Sequence, residues 1–134
     1  MGLKFKAVVV ALILSVVLGC FPTLTEIRSS NPAAIIEFDK PPQPLANCIK
    51  YEAMQELDNS FRHWSRIDMT EQDGTVTLLF TNEAGVYGTI PLYEIVIKPN
   101  GKGGSIIELR SHNRPRNWEG RERLLVHVRK CASK

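Results

Sequence analysis

The chain has 134 residues and a formal net charge of +3 at pH 7, which leaves room for one small domain with a modest core and excludes a multidomain machine. The small total conceals an asymmetry, since residues 20–97 carry 5 Lys/Arg against 11 Asp/Glu and residues 98–134 carry 10 against 3. Such an imbalance can mark a basic tail for nucleic acid or anionic lipid, but the simpler reading is that the two halves pair within one fold.

Lys4 and Lys6 precede an uncharged, mostly apolar run from Ala7 to Gly19. A membrane-spanning helix needs about 18–20 apolar residues. This run is shorter, and it suits the hydrophobic region of an export signal. It ends Val17-Leu18-Gly19-Cys20, with a small residue directly before a cysteine. That ending resembles the lipobox of bacterial prolipoproteins, although Val17 stands where Leu is usual and Leu18 where a small residue is usual. The resemblance covers the first 20 residues. It implies diacylation of the Cys20 thiol, cleavage between Gly19 and Cys20 with residues 1–19 as signal peptide, and acylation of the new N terminus. Each buried methylene of the acyl chains contributes about 0.8 kcal/mol, enough together for stable anchoring. Phe21 replaces the Asp that commonly retains such proteins at the inner membrane, which implies an outer-membrane, periplasm-facing location. The expected partners are therefore the membrane, through the lipid anchor, and an envelope protein. Nucleic acid is not expected in that compartment.

With Cys20 acylated, Cys48 and Cys131 remain. In an oxidising compartment an even pair most simply forms a disulfide.

Residues 20–44 contain Pro22, Pro32, Pro41, Pro42 and Pro44 with Ser29, Ser30 and Asn31 between them. The composition predicts an extended, lipidated tether, in which Ala34-Ile35-Ile36-Glu37-Phe38 is apolar enough for a short edge strand. The folded domain is expected to span residues 45–134. Leu45 to about Asn59 predicts a helix, because Leu45, Ala46, Ile49, Ala53 and Leu57 share one face at 100° per residue. Lys50, Glu52 and Glu56 fall elsewhere and are expected to face water. Cys48 flanks the apolar face and points sideways, so its bridge needs an element lying alongside.

Trp64 to Thr70 alternates like a strand, and Gln72-Asp73-Gly74 supplies a hairpin turn. Residues 75–80 form the next strand, and Asn82-Glu83-Ala84-Gly85 a second turn. A short strand over residues 86–90 should be broken or bulged by Pro91. Residues 92–97 and 105–110 complete a meander of three or four antiparallel strands, joined by a flexible turn over residues 99–104. Arg121 to Cys131 fits helical spacing through Leu124, Leu125, Val128, Cys131 and Ala132, although two valines also permit a strand. The expected fold is α+β: an N-terminal helix, the meander and a C-terminal helix, with the helices on one face of the sheet. The helical Cys48-Ile49 pair, the meander and Cys131 are loosely similar to small proteobacterial envelope lipoproteins. That resemblance implies a fold and no activity.

Candidate chemistry is sparse. His127 and Cys131 stand one helical turn apart, and His63 and His112 are the further candidate donors. Zinc needs three or four donors, and neither CxxC nor HExxH is present. A cysteine nucleophile would need a base beside it, such as His63 or His127 next to Cys48, and nothing in the spacing places them together. Glu52 and Glu56 imitate a carboxylate pair, but on a helix this spacing usually marks a solvated face. Gly101-Lys102-Gly103-Gly104-Ser105 lies between strands rather than between a strand and a helix, unlike a phosphate-binding P-loop. No enzyme activity, cofactor or metal is expected. The segment His112–Arg123 stands out, because Arg114, Arg116, Arg121 and Arg123 surround Trp118 and suit anionic groups with stacking or interfacial insertion. The leading expectation is a non-enzymatic interaction or assembly module at the envelope. One alternative is a binder of anionic envelope lipid or glycan through Arg114–Arg123. Another is an inhibitor or immunity lipoprotein against a cell-wall hydrolase, although the Ser-Gly-x-x-Tyr type motif of lysozyme inhibitors is absent.

Overall fold

The computed structural model describes residues 23–56, 64–83, 88–112 and 118–134. Chain order is α1 (Leu24–Ser29), β1 (Ala34–Phe38), α2 (Pro42–Met54), β2 (Arg66–Gln72), β3 (Thr75–Glu83), β4 (Thr89–Pro99), β5 (Ser105–Ser111) and α3 (Trp118–Ser133). The five strands form one antiparallel sheet in the order β1-β5-β4-β3-β2. The α+β class and the four-stranded meander are as the sequence predicts, and β1 extends the sheet along β5.

The hairpin between β2 and β3 turns on Asp73 and Gly74, with φ of 53° and 78°. Two successive positive φ values make the turn whose twist matches the flanking strands, and Asp-Gly adopts it at little cost. Pro91 does not split β4 in two. Phe80 faces Tyr93 and Thr81 faces Pro91, so Leu92 is the extra residue of a bulge. β5 pairs with β4 only from Tyr93 onward. At Pro91 the strand is therefore bonded on the β3 side alone, and the missing N–H interrupts no second ladder.

Alternation assigns the two faces. Ile67, Val76, Leu78, Phe80, Tyr93, Ile95, Ile97, Ile107 and Leu109 point to one side and are buried there against α2 and α3. α2 contributes Leu45, Ala46, Ile49 and Ala53, as its periodicity predicts, and α3 contributes Leu124, Leu125, Val128 and Cys131. The C-terminal segment is thus a helix, and it begins three residues before the predicted start. Trp64 closes the open end of α2: its ring meets Phe80 and Tyr93 edge-on, with centroids 5.4 and 6.2 Å away, and its Nε1–H donates to the Ala53 carbonyl at 3.2 Å.

The predicted tether is corrected over residues 23–44. Its prolines bracket elements instead of preventing them. Pro41, Pro42 and Pro44 occupy the cap and first turn of α2, where backbone N–H groups have no helical acceptor to lose. Thr23 caps α1 by accepting from the Glu26 N–H. α1 lies on the opposite sheet face from α2 and α3. There Ile27 is fully buried, and Arg28 reaches Glu94 with Nε at 2.9 Å and Nη2 at 2.8 Å. The expectation of helices on one face holds for the two long helices, and the third, short helix adds a partial layer behind the sheet.

Candidate functional site

The predicted basic segment divides into two parts. Arg114 and Arg116 lie outside the described residues. Trp118, Arg121 and Arg123 stand in the first turns of α3, on a rigid element. Trp118 is half exposed. The Arg123 guanidinium donates to Glu119 at 3.2 Å, one turn back along the helix. Arg121 is differently placed: its Nε lies 3.7 Å from the Glu122 carboxylate, and it makes no hydrogen bond among the described residues.

Arg121 borders a cavity of about 270 Å³ whose other walls are Ser30, Asn31, Ala33 and Ser111. Three elements build it. Ser111 is the last residue of β5, opposite Tyr93 and in phase with the core positions Ile107 and Leu109. The α1–β1 connection is fixed beside it, because the Ala33 N–H donates to the Leu109 carbonyl at 2.7 Å and Arg110 donates to the carbonyls of Arg28 and Ser30. The first turn of α3 closes the remaining side. Tyr93 lies beneath, its hydroxyl pushed up to about 12, by burial above all, with Arg121 opposing and Glu119 reinforcing the shift. Sequence reasoning missed Ser111 and Asn31. A signal existed for Ser111, since it puts a hydroxyl in the same strand phase as the apolar Ile107 and Leu109.

A second concavity, of about 400 Å³, lies on the opposite sheet face between Arg28 and the β2–β3 hairpin, lined by Thr70, Thr75, Thr77, Gln72 and Asp73 among others. Its one cation among the described residues, Arg28, is already engaged by Glu94.

The two cysteines suspected of metal or nucleophilic chemistry are used by each other along the α2–α3 seam. Cys48 and Cys131 are joined, with sulfurs 2.09 Å and Cα atoms 5.7 Å apart. Cys131 therefore offers no thiolate to His127, and Cys48 offers none to a histidine base. His127 Nε2 instead lies 3.1 Å from Glu56 Oε1, and His112 Nε2 lies 3.0 Å from Glu26 Oε2. His63 is outside the described residues. Among the described residues no group of three or more His, Cys, Asp and Glu donors gathers. The expectation that Glu52 faces water is also corrected: it is buried between the helices and accepts from Lys130 and Lys134, each at 2.7 Å. Those two ammonium groups, Lys130 foremost, hold its carboxyl down at about 2. Lys40 Nζ donates to the Cys131 carbonyl at 2.8 Å and satisfies a backbone acceptor near the end of α3. Gly101–Gly104 join β4 to β5 as expected. The turn is tied down by Asn100, whose Oδ1 accepts from the N–H groups of Lys102 and Gly104 and whose Nδ2 donates to Glu37.

No helix among the described residues is long and apolar enough to cross a membrane. No protein-family model matches the chain, and neither the curated proteins nor the solved structures yield a match.

Proposed function

We propose that this chain is a lipid-anchored protein of the cell envelope, held at the outer membrane through Cys20, whose α+β domain is a non-enzymatic interaction or assembly module facing the periplasm. The observation that carries this reading is the partition of the cysteines. Cys48 and Cys131 are bound to each other, which leaves Cys20, at the end of the apolar run and after Gly19, as the remaining thiol. A buried disulfide is itself in keeping with an oxidising compartment. The non-enzymatic part is supported by the bonding of the two domain cysteines to each other, which leaves neither as a nucleophile or metal ligand. Mass spectrometry of the protein isolated from envelopes tests the anchor. The expected species begins at Cys20 and carries acyl chains on its thiol and amine. A mature protein with residues 1–19 retained, or with unmodified Cys20, would overturn it. Affinity capture from detergent-solubilised envelope tests the module, and repeated failure to return one specific partner counts against it.

A second reading, binding of anionic envelope lipid or glycan by the Arg114–Arg123 segment, is favoured by the incomplete pairing of Arg121. It predicts salt-sensitive binding of the chain to vesicles containing phosphatidylglycerol. The triple replacement of Arg114, Arg116 and Arg121 by Ala should abolish that binding.

A further inference from the structure

Most charged side chains on this surface have partners: Lys98 and Arg110 with Glu108, Arg28 with Glu94, Arg66 with Asp68, Arg123 with Glu119, and Lys130 and Lys134 with Glu52. The cavity at the start of α3 departs from this pattern. Three of its described lining residues, one of them the exposed Asn31, have polar side chains with no hydrogen-bond partner among the described residues. They are the Arg121 guanidinium, the Asn31 amide and the hydroxyl of Ser111. Ser111 is 7% exposed and lines the cavity, where its hydroxyl is placed to donate to a bound group. Ser30 is different, because its hydroxyl already donates to the Ile27 carbonyl at 2.6 Å.

The charge placement points the same way. Arg121 stands in the first turn of a 16-residue helix, where the helix dipole disfavours a cation. Its carboxylate contact among the described residues is long, Nε to Glu122 at 3.7 Å. Its guanidinium makes no hydrogen bond among the described residues, and the fork geometry of arginine matches the oxygens of a phosphate or carboxylate. The remaining donors, one hydroxyl and one amide, come from β5 and from the α1–β1 connection rather than from α3. Donors from three separate elements around one small volume fit an anion with oxygens in several directions better than a flat carboxylate.

We propose that this cavity binds a phosphoryl group, with Arg121 as its charge partner and Ser111 and Asn31 as neutral donors. The proposal rests on the reading of the Arg114–Arg123 segment as an anion-binding surface and sharpens it from a charged face to a defined pocket. A cavity of about 270 Å³ is below the usual size of a drug-like ligand site, roughly 300–1,000 Å³. It therefore takes free phosphate or the phosphoryl end of a sugar or headgroup, and leaves the rest of a larger ligand outside.

The test is isothermal titration of the full purified chain in a zwitterionic detergent with sodium phosphate and, separately, glucose 6-phosphate. Sodium chloride at matched ionic strength is the reference. Saturable one-site binding above the chloride reference is expected. Arg121→Ala should weaken it at least about tenfold, as befits loss of charge-assisted hydrogen bonds. Ser111→Ala should weaken it about threefold or more, the loss of one neutral donor. Arg129→Ala removes an exposed charge elsewhere on α3 and should change it less than about twofold, since a distant exposed charge is screened. Because Arg121 makes no hydrogen bond among the described residues, its replacement should leave the thermal midpoint in place. Arg121→Lys, which keeps the charge without the fork, should retain intermediate affinity. Tighter binding of glucose 6-phosphate than of phosphate assigns the site to a sugar or headgroup phosphoryl, and equal binding assigns it to the free ion. No saturation above chloride, or equal losses in Arg121→Ala and Arg129→Ala, overturns the proposal. Salt-sensitive binding to anionic vesicles without phosphate binding would remove the pocket while leaving the surface reading intact.

Discussion

Lys130 donates to Glu52 at 2.7 Å, one residue from Cys131 on α3 and one helical turn from Cys48 on α2. The covalent bridge and the ion pair therefore fasten the same two helices at one place. Lys134 adds a second ammonium to the same carboxylate, and Lys40 ties the Cys131 carbonyl to the chain just before α2. The sheet buries one face against these helices, so whatever holds the pair together also holds the lid of the core.

The Glu52 cluster makes stability depend on acid in a defined window. The ordinary carboxyl value is 4.5, and the folded protein holds Glu52 at about 2, through Lys130 first and Lys134 second. The unfolded chain takes up the proton at higher pH than the folded one. The contribution is therefore complete above the ordinary value, declines below it, and is gone once the pH falls through about 2. Glu108, lowered by hydrogen bonds from Lys98 and then Arg110, acts in the same direction. Urea midpoints measured from pH 5.5 downward should fall more gently in Glu52→Gln than in the parent. Parallel curves would show that the cluster does not carry this linkage.

Reduction of the Cys48–Cys131 bridge should destabilise the fold without changing its class. The bridge spans 83 positions, and the chain-entropy account assigns a closed loop of that length about 4–5 kcal/mol, with removal of native bridges typically costing about 2–5 kcal/mol. The double variant Cys48→Ala/Cys131→Ala should lower the urea midpoint by a matching amount and become indifferent to dithiothreitol. The parent should lose its advantage only when reduced.

Local signals carried most of the fold. The apolar spacing of α2, the Asp73-Gly74 turn and the β-prone runs around it each depend on neighbours a few residues apart, and each is legible. What escaped depends on distant partners. α1 has six residues and buries mainly Ile27, too little for a periodicity to register. β1 was legible as the apolar run Ala34–Phe38, and what escaped was its partner, since it pairs with β5 some seventy positions later. Glu52 reads as solvated on a helical wheel that shows one apolar face and cannot show a second helix against its flank. For the candidate site, the arginines and Trp118 were visible as composition. That Arg121 makes no hydrogen bond among the described residues, and that Ser111 and Asn31 line the same cavity, follows only from the packing of three elements.

Gly104 marks a close approach that the sequence shows only as one glycine among several. A side-chain carbon there would overlap the Phe38 carbonyl oxygen and sit 3.1 Å from the Asp39 Cα. Gly104→Ala should cost about 1–3 kcal/mol, as overpacking does, and should loosen β1, read as faster hydrogen exchange at the Ala33 amide that donates to Leu109. Gly103, at φ 86° with open space around it, gives a contrast. Gly103→Ala should cost about 1–2 kcal/mol through backbone conformation alone, with Ala33 exchange unchanged relative to the global unfolding rate. Equal effects on Ala33 would remove the assigned contact.

The corrected role of the proline-rich stretch makes its own demand. If α1 belongs to the fold, its two anchors must matter to the whole domain. Ile27 is fully buried behind the sheet, and its truncation to Ala should cost about 2–5 kcal/mol. The Glu94 side chain is 4% exposed and takes both of its short contacts from Arg28. Arg28→Ala therefore leaves a nearly buried carboxylate without its cation, a loss of about 1–3 kcal/mol or more. The double replacement Arg28→Ala/Glu94→Gln should recover part of that loss, because the stranded charge is removed with its partner. Global unfolding followed by tryptophan fluorescence at Trp64, on the far side of the sheet, reports whether the effect crosses the domain. A tether would leave that transition untouched in all three variants; a docked helix lowers its midpoint in each, least in the double replacement of Arg28 and Glu94.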